Sequence, residues 1–471
     1  MSAVMVASTP IAAVLVLAIV MLGPIRGLWV LFLTLPLGAA AALNVPSVGN
    51  VTLTDACVVA GLMAMLGRMP IGVLLNTIRP GEAGFLLVVL LIIAIISAVF
   101  FPRVFVGETD VFAIGLSQGR PAIIETGLAP SGSNYGQLAR LGLGGMAFVL
   151  VASAAQLKPS ETWALQVIKV ATYVHVLVAL VDWIGHPLGL AWVLDPLRTV
   201  DQAILVDQTF PSLRRIIGGY TEPASFGLFT MGLLGFWTRY GFENGRSVIA
   251  WAFTIILFCL ALRSTSSATV SNLVMLTILF PAFYATPILK SRARLFGLLF
   301  MIGILPALYS MVSVSLGYSP MGSDLINDLI WNKAVSTSGE ERMSWNRQAL
   351  QNIIDTYGVG AGIGSVRTSS WLMSVLASLG VLGTAIYLWF LVEIFRSKSA
   401  DTKCVSSALK WGCWAIVLQS CLTKPFPDLG VQFFLMAGLA VGLGIGQGAR
   451  QREFNGRLAH ALSNARMARC Q

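Results

Sequence analysis

The sequence predicts an all-α, polytopic transmembrane bundle of about 12–13 spans, with a large outer loop carrying amphipathic helices. Three observations predict it. Of 471 residues, 56% are hydrophobic and 11% charged, with a mean hydropathy of +0.79. No soluble fold of that length hides so much apolar surface. The apolar residues fall in stretches of roughly 17–25, the length that crosses a bilayer core as a helix. The alternating segments of about ten residues that build a membrane barrel do not occur, which leaves helices as the elements that satisfy their own backbone in lipid.

The expected spans, in order, are 5–23, 27–43, 53–67, 84–101, 137–156, 161–183, 221–238, 247–263, 266–287, 295–316, 371–394, 405–421 and 429–447. The first has no Lys or Arg ahead of its apolar core, so it reads as a span rather than a cleaved signal peptide. The cysteines (57, 259, 404, 413, 421 and 470) lie apart without a CxxC pair and read as packing residues. Residues 1–449 form one membrane domain, followed by a basic tail over 450–471.

The net charge of +10 follows topology and not nucleic acid. When successive loops are assigned to alternate sides, 18 of the 31 Lys and Arg fall on one side and 12 on the other. Fifteen of the 21 acids fall on the second side. Short positive loops mark the cytoplasm, so the C-terminus is expected inside and the N-terminus outside. An even span count follows if the first segment does not cross. The long loops 102–136, 184–220 and 317–370 then lie outside, and they hold the basic residues that run against the positive-inside tendency.

Within the last of these loops, SGEERMSWNRQALQNIIDTYG (338–358) reads as an outer helix. Ser338 and Glu341 form a capping box, and Gly358 provides the stop. Trp345, Ala349, Leu350, Ile353, Ile354 and Tyr357 recur at helical spacing, and Arg342 falls inside that apolar arc. Arg342 is there either for function or for an ion pair with Glu340, Glu341 or Asp324.

The segment GVGAGIGSVRTSSW (358–371) follows. It is not a dinucleotide fingerprint, because no strand precedes it and no βαβ unit follows. It reads either as a structural glycine turn or as an anion site, in which free N–H groups, Ser365, Arg367 and Ser369 meet a helix start. Two further mouths pair arginine with small polar residues: Arg214-Arg215 before Gly218-Gly219 and Glu222, and Arg263 before Ser264. Arginine stays charged and grips phosphate oxygens in a fork, so the outer chemistry expected is recognition of phosphate or pyrophosphate.

Taken in order, RRIIGGYTEPASFG, LRSTSSA and ERMSWNRQAL…GVGAGIGSVRTSS…LASLGVLG resemble the O-antigen ligase/polymerase superfamily of bacterial envelope glycan assembly, from Arg214 to about Gly383. The resemblance implies a glycosyltransferase of the bacterial inner membrane that takes a glycan from a polyprenyl pyrophosphate carrier on the outer leaflet. The glycan passes to an acceptor hydroxyl. It further implies that Arg214 or Arg215, with Arg263 and Arg367, holds the leaving pyrophosphate. The bilayer and the lipid-linked oligosaccharide are the implied partners, with other export or chain-length components beside them. The ligase branch carries a histidine in the late loop, whereas this chain has only His175, His186 and His460. That favours a polymerase of capsule, exopolysaccharide or O-antigen units over a ligase.

Glu222 is then either the base that accepts the hydroxyl proton or simply the acid at a helix N-terminus. No D-x-D signature occurs beside the outer acids, so neither metal nor cofactor is expected. The competing class is a transporter or flippase, whose ionisable residues would lie at mid-membrane. Lys169, His175 and Asp182, all in one span, are the candidates for that role.

Overall fold

The computed structural model describes residues 4–45, 49–117, 120–201, 204–206, 209–210, 213–245, 247–277, 337–397 and 403–469. Its helices are α1 (Thr9–Arg26), α2 (Leu28–Thr34), α3 (Leu53–Arg68), α4 (Ile71–Thr77), α5 (Ala83–Val104), α6 (Gly132–Leu157) and α7 (Glu161–Gly185). They continue as α8 (Pro223–Glu243), α9 (Val248–Arg263), α10 (Ser267–Thr277), α11 (Thr337–Asp355), α12 (Trp371–Arg396), α13 (Lys403–Thr423) and α14 (Val431–Arg469). Among the described residues, six helices are long and apolar enough to cross a membrane: α1, α5, α6, α7, α12 and the Val431–Arg452 part of α14. The expected span 295–316, the second half of 266–287 and most of the loop 317–370 lie outside the described residues.

Three short antiparallel hairpins qualify the all-α expectation: β1 (Ala41–Val45) with β2 (Gly49–Thr52), β3 (Asp110–Ser117) with β4 (Arg120–Gly127), and β5 (Thr209–Phe210) with β6 (Leu213–Arg214). The first corrects the expected span 27–43. Helix α2 has seven residues, about 10 Å at 1.5 Å per residue, which is a third of a bilayer core. Pro36 follows it, and the chain turns into β1. Apolar content alone had made this stretch look like a span. The alanines it contributes are buried against protein, with Ala39, Ala40 and Ala41 fully covered.

Lipid gives helices no hydrophobic reason to associate, so close backbone approach matters. On α14, Gly438, Gly442 and Gly446 face Phe148, Ala152 and Gln156 of α6, one turn apart on both helices. A Cβ at these glycines would stand 2.7, 2.3 and 2.7 Å from the three carbonyl oxygens. Gly442→Leu must therefore push α6 away. It is expected to lower stability by about 1–3 kcal/mol, the usual range for overpacking. Thermal unfolding of the purified protein in detergent measures it, and an unchanged midpoint would mean the two helices do not pack in this register.

Helix α12 is not the straight span that 371–394 predicts. Gly380 has φ 68° and ψ −172°, which breaks the helix. Trp371 and Tyr387 are sixteen positions apart and would be separated by about 24 Å along a straight helix. Their ring centroids are 5.1 Å apart, so the chain bends sharply at Gly380. A Cβ there would meet Val359 O at 2.1 Å. The basic stretch beyond Arg450 continues the last helix as far as Arg469.

Candidate functional site

Described residues of the loops around Ala39, Phe112, Gly219, Arg367 and Pro427 make contacts with one another at one end of the bundle. Ala39 donates to Gly219 O, Arg367 N to Phe112 O, and Trp371 Nε1 to Pro427 O. Arg198, Arg214, Ile217 and Gly218 converge on one carboxylate, Asp182, near the end of α7. Its Oδ1 accepts from Arg198 Nη2 (2.8 Å) and Arg214 Nη2 (2.7 Å), and its Oδ2 from the N–H groups of Ile217 and Gly218 (3.0 Å each). Arg214 also donates to Asp182 O and Val206 O, and Arg198 to Gly218 O. Arg214, a candidate for pyrophosphate, is thus turned inward onto Asp182. The glycine pair lets the chain fold close here. A Cβ on Gly219 would lie 2.2 Å from Pro36 O.

Arg215 points away from this clamp. It is 8% exposed and donates to Ser264 O (3.3 Å) and Thr265 O (3.1 Å) at the end of α9. Arg263 donates to Arg214 O (2.7 Å) and lies over the Trp183 ring, 5.8 Å from its centroid. Seven residues after Arg215, Glu222 takes the N-cap position of α8, with Pro223 as the first helical residue. Its carboxylate makes no backbone cap bond. It is exposed and accepts from Ser225 Oγ (3.0 Å).

The second half of the site is the loop after α11. Gly358, Gly360, Gly362 and Gly364 all have positive φ, and the loop docks into the bend of α12. Ala361 N donates to Ala377 O, Gly362 N to Ser378 O, and Val381 N to Gly358 O, so the break is satisfied by the loop. Ser97 of α5 joins the junction, accepting from Ile363 N and donating to Ser378 O. The N–H groups of Ala361, Gly362 and Ile363 thus have internal partners, and the glycines serve the turn. Ser365 Oγ accepts from Asn134 Nδ2 (2.8 Å), and Ser369 donates to Arg342 O (3.2 Å). Both hydroxyls help to hold the loop.

Arg367, at the end of that loop, lies over the Trp345 ring of α11, 5.5 Å from its centroid. Its Nε is buried and has no hydrogen-bond partner among the described residues. The packed face of α11 differs from the expected arc. Ala349, Asn352 and Thr356 are buried, whereas Leu350, Ile354 and Tyr357 are exposed. Asn352 accounts for the shift, since its amide donates to Thr109 and to Asp110 O beneath the β3–β4 hairpin. Arg342 is exposed and, among the described residues, makes no ion pair with Glu340 or Glu341; Asp324 lies outside them.

Arg215 and Arg367 come from segments 152 positions apart, yet they share the same two charged neighbours, Glu222 and Arg342. Burial pulls both guanidiniums below the usual arginine range. Glu222 opposes the shift, and Arg342 adds to it. A guanidinium nevertheless stays charged. The result is three arginines and one exposed carboxylate gathered at the mouth of an apolar bundle. Such a group can hold a multiply charged anion and accept a proton beside it.

The transporter candidates are placed differently. His175 bonds Thr230 Oγ1 (2.9 Å) and stacks on Phe226, and Asp182 is saturated. Sequence reasoning missed the structural use of Asp182 with Arg198, read Trp345 only as part of an apolar face, and missed Trp183 and Asn134. Only Asp182 carried a signal, as a lone acid in an apolar span. No family model matches this chain, and no curated protein matches it.

Proposed function

We propose that this protein is a membrane glycosyltransferase that polymerises polyprenyl-pyrophosphate-linked oligosaccharide repeat units into an envelope or extracellular polysaccharide. The observation that carries the reading is the gathering of Arg215, Arg342 and Arg367 around Glu222. The acceptor hydroxyl oxygen attacks the anomeric carbon of the donor glycan, and the bond from that carbon to the pyrophosphate oxygen breaks. The hydroxyl proton passes to the Glu222 carboxylate, and polyprenyl pyrophosphate leaves with its new charge stabilised by the arginines. The mouth faces the periplasm, and the polyprenyl chain remains in the outer leaflet of a bacterial inner membrane.

The test is transfer by the purified protein in lipid nanodiscs, with a lipid-linked oligosaccharide as the sole substrate and neither ATP nor an ion gradient. A ladder of polymer is expected. Movement of the substrate across the bilayer without new glycosidic bonds would replace this reading with transport. Orientation has its own test. Phosphatase fusions at Asn134 and Ser338 are expected to be active and a fusion at Gln471 inactive; an active tail would reverse the assignment.

A further inference from the structure

We infer that Asp182 is a positioning residue. It holds the 198–218 loop so that Arg215 faces the anion, and it keeps Arg198 and Arg214 out of that site. The inference rests on the proposed pyrophosphate reading for its function, but its structural half stands alone. The Asp182 side chain is 1% exposed, and its two oxygens accept from two guanidiniums and two backbone N–H groups. Arg198 and Arg214 are themselves 4% and 15% exposed. Each donates a further bond to a carbonyl of the same loop or of α7.

The consequence follows from sequence adjacency. Arg214 and Arg215 are neighbours on an extended segment, where successive side chains point to opposite faces. Fixing Arg214 on Asp182 therefore directs Arg215 the other way, onto Ser264 O and Thr265 O and beside Glu222 and Arg342. Arg263 supports the same segment through Arg214 O. Two adjacent arginines thus acquire separate partners, Arg214 the Asp182 carboxylate and Arg215 the carbonyls at the end of α9. Asp182 also balances one of the two positive charges it binds, so the clamp does not compete with the outer arginines for an anion.

The experiment uses the full chain in nanodiscs, phenylglyoxal as the arginine reagent and inorganic pyrophosphate as the probe, with labelled sites read by mass spectrometry. In the wild type, Arg198 and Arg214 should label slowly, and pyrophosphate should protect Arg215 and Arg367. In Asp182→Asn, Arg198 and Arg214 should label faster. The pyrophosphate concentration that protects Arg215 should rise roughly tenfold or more, the scale of one lost charge-assisted hydrogen bond. Asp182→Glu should restore part of the protection.

If Asp182→Asn does not fold, Arg198→Gln carries the test, since it loosens the loop without touching the ligand. It too should weaken protection of Arg215. Unchanged labelling of Arg198 and Arg214 in Asp182→Asn would overturn the clamp. Faster labelling with unchanged protection of Arg215 would overturn its role in positioning. Absence of any pyrophosphate protection in the wild type would count against the proposed function and leave the clamp to be judged by labelling alone.

Discussion

Replacing Arg367 with alanine is expected to lower polymer formation by about two to three orders of magnitude, the cost of removing one fixed donor from a developing negative charge. The bundle should stay folded. Arg367 has a buried Nε without a hydrogen-bond partner among the described residues, and its guanidinium lies over the face of Trp345. A guanidinium held by stacking, with donor capacity left over, suits a ligand that arrives from outside. Lysine should rescue poorly because it lacks the planar fork and stacks weakly on an aromatic ring.

Arg215→Ala should show a similar loss, and the double variant should lose less than the sum. Both side chains share Glu222 and Arg342, and groups serving one charge are not additive. Arg214→Ala should behave differently. Its partner is Asp182, so the change should appear first in thermal stability, by about 3 kcal/mol if the carboxylate is left with an incomplete set of donors. Polymer assays in cells, paired with unfolding of the purified variants, separate the two. An Arg367→Ala protein that makes long polymer at normal levels would move the pyrophosphate site elsewhere.

The contrast between Arg214 and Arg215 shows what the chain reveals by itself and what it withholds. Long apolar runs mark α1, α5, α6 and α7 directly, because a helix in lipid is the local answer to a local composition. The run 27–43 has the same composition, but its alanines are covered by protein, and Pro36 stops the helix. Hydropathy does not distinguish lipid from a protein neighbour. The bend in α12 is equally hidden: Gly380 looks like any glycine of a membrane helix until Ala361 and Gly362 arrive to bond the freed carbonyls. Arginines beside small polar residues stand out in the chain at three helix ends. That Arg214 and not Arg215 binds Asp182, 32 positions away on another element, is encoded by no local pattern.

Glu222→Gln is expected to slow transfer by about two to four orders of magnitude, the usual span for loss of a general base, with donor binding little changed. The carboxylate is exposed, lies at a helix N-terminus and accepts from Ser225. It makes no backbone cap bond, so exchanging it for an amide should change helix α8 little. Glutamine keeps the size and one acceptor oxygen but cannot take a proton. The loss should therefore fall on kcat, with KM for the lipid-linked donor close to its original value. Pyrophosphate is already a good leaving group, and fixed arginines can supply the charge stabilisation that a cation would otherwise provide. The same assay in excess EDTA should accordingly run at the full rate, and His186→Ala should be indistinguishable from the wild type. A requirement for added Mg²⁺ would defeat the metal-free mechanism. An unimpaired Glu222→Gln enzyme would leave the carboxylate as a helix-terminal acid and send the search for the base to the other outer loops.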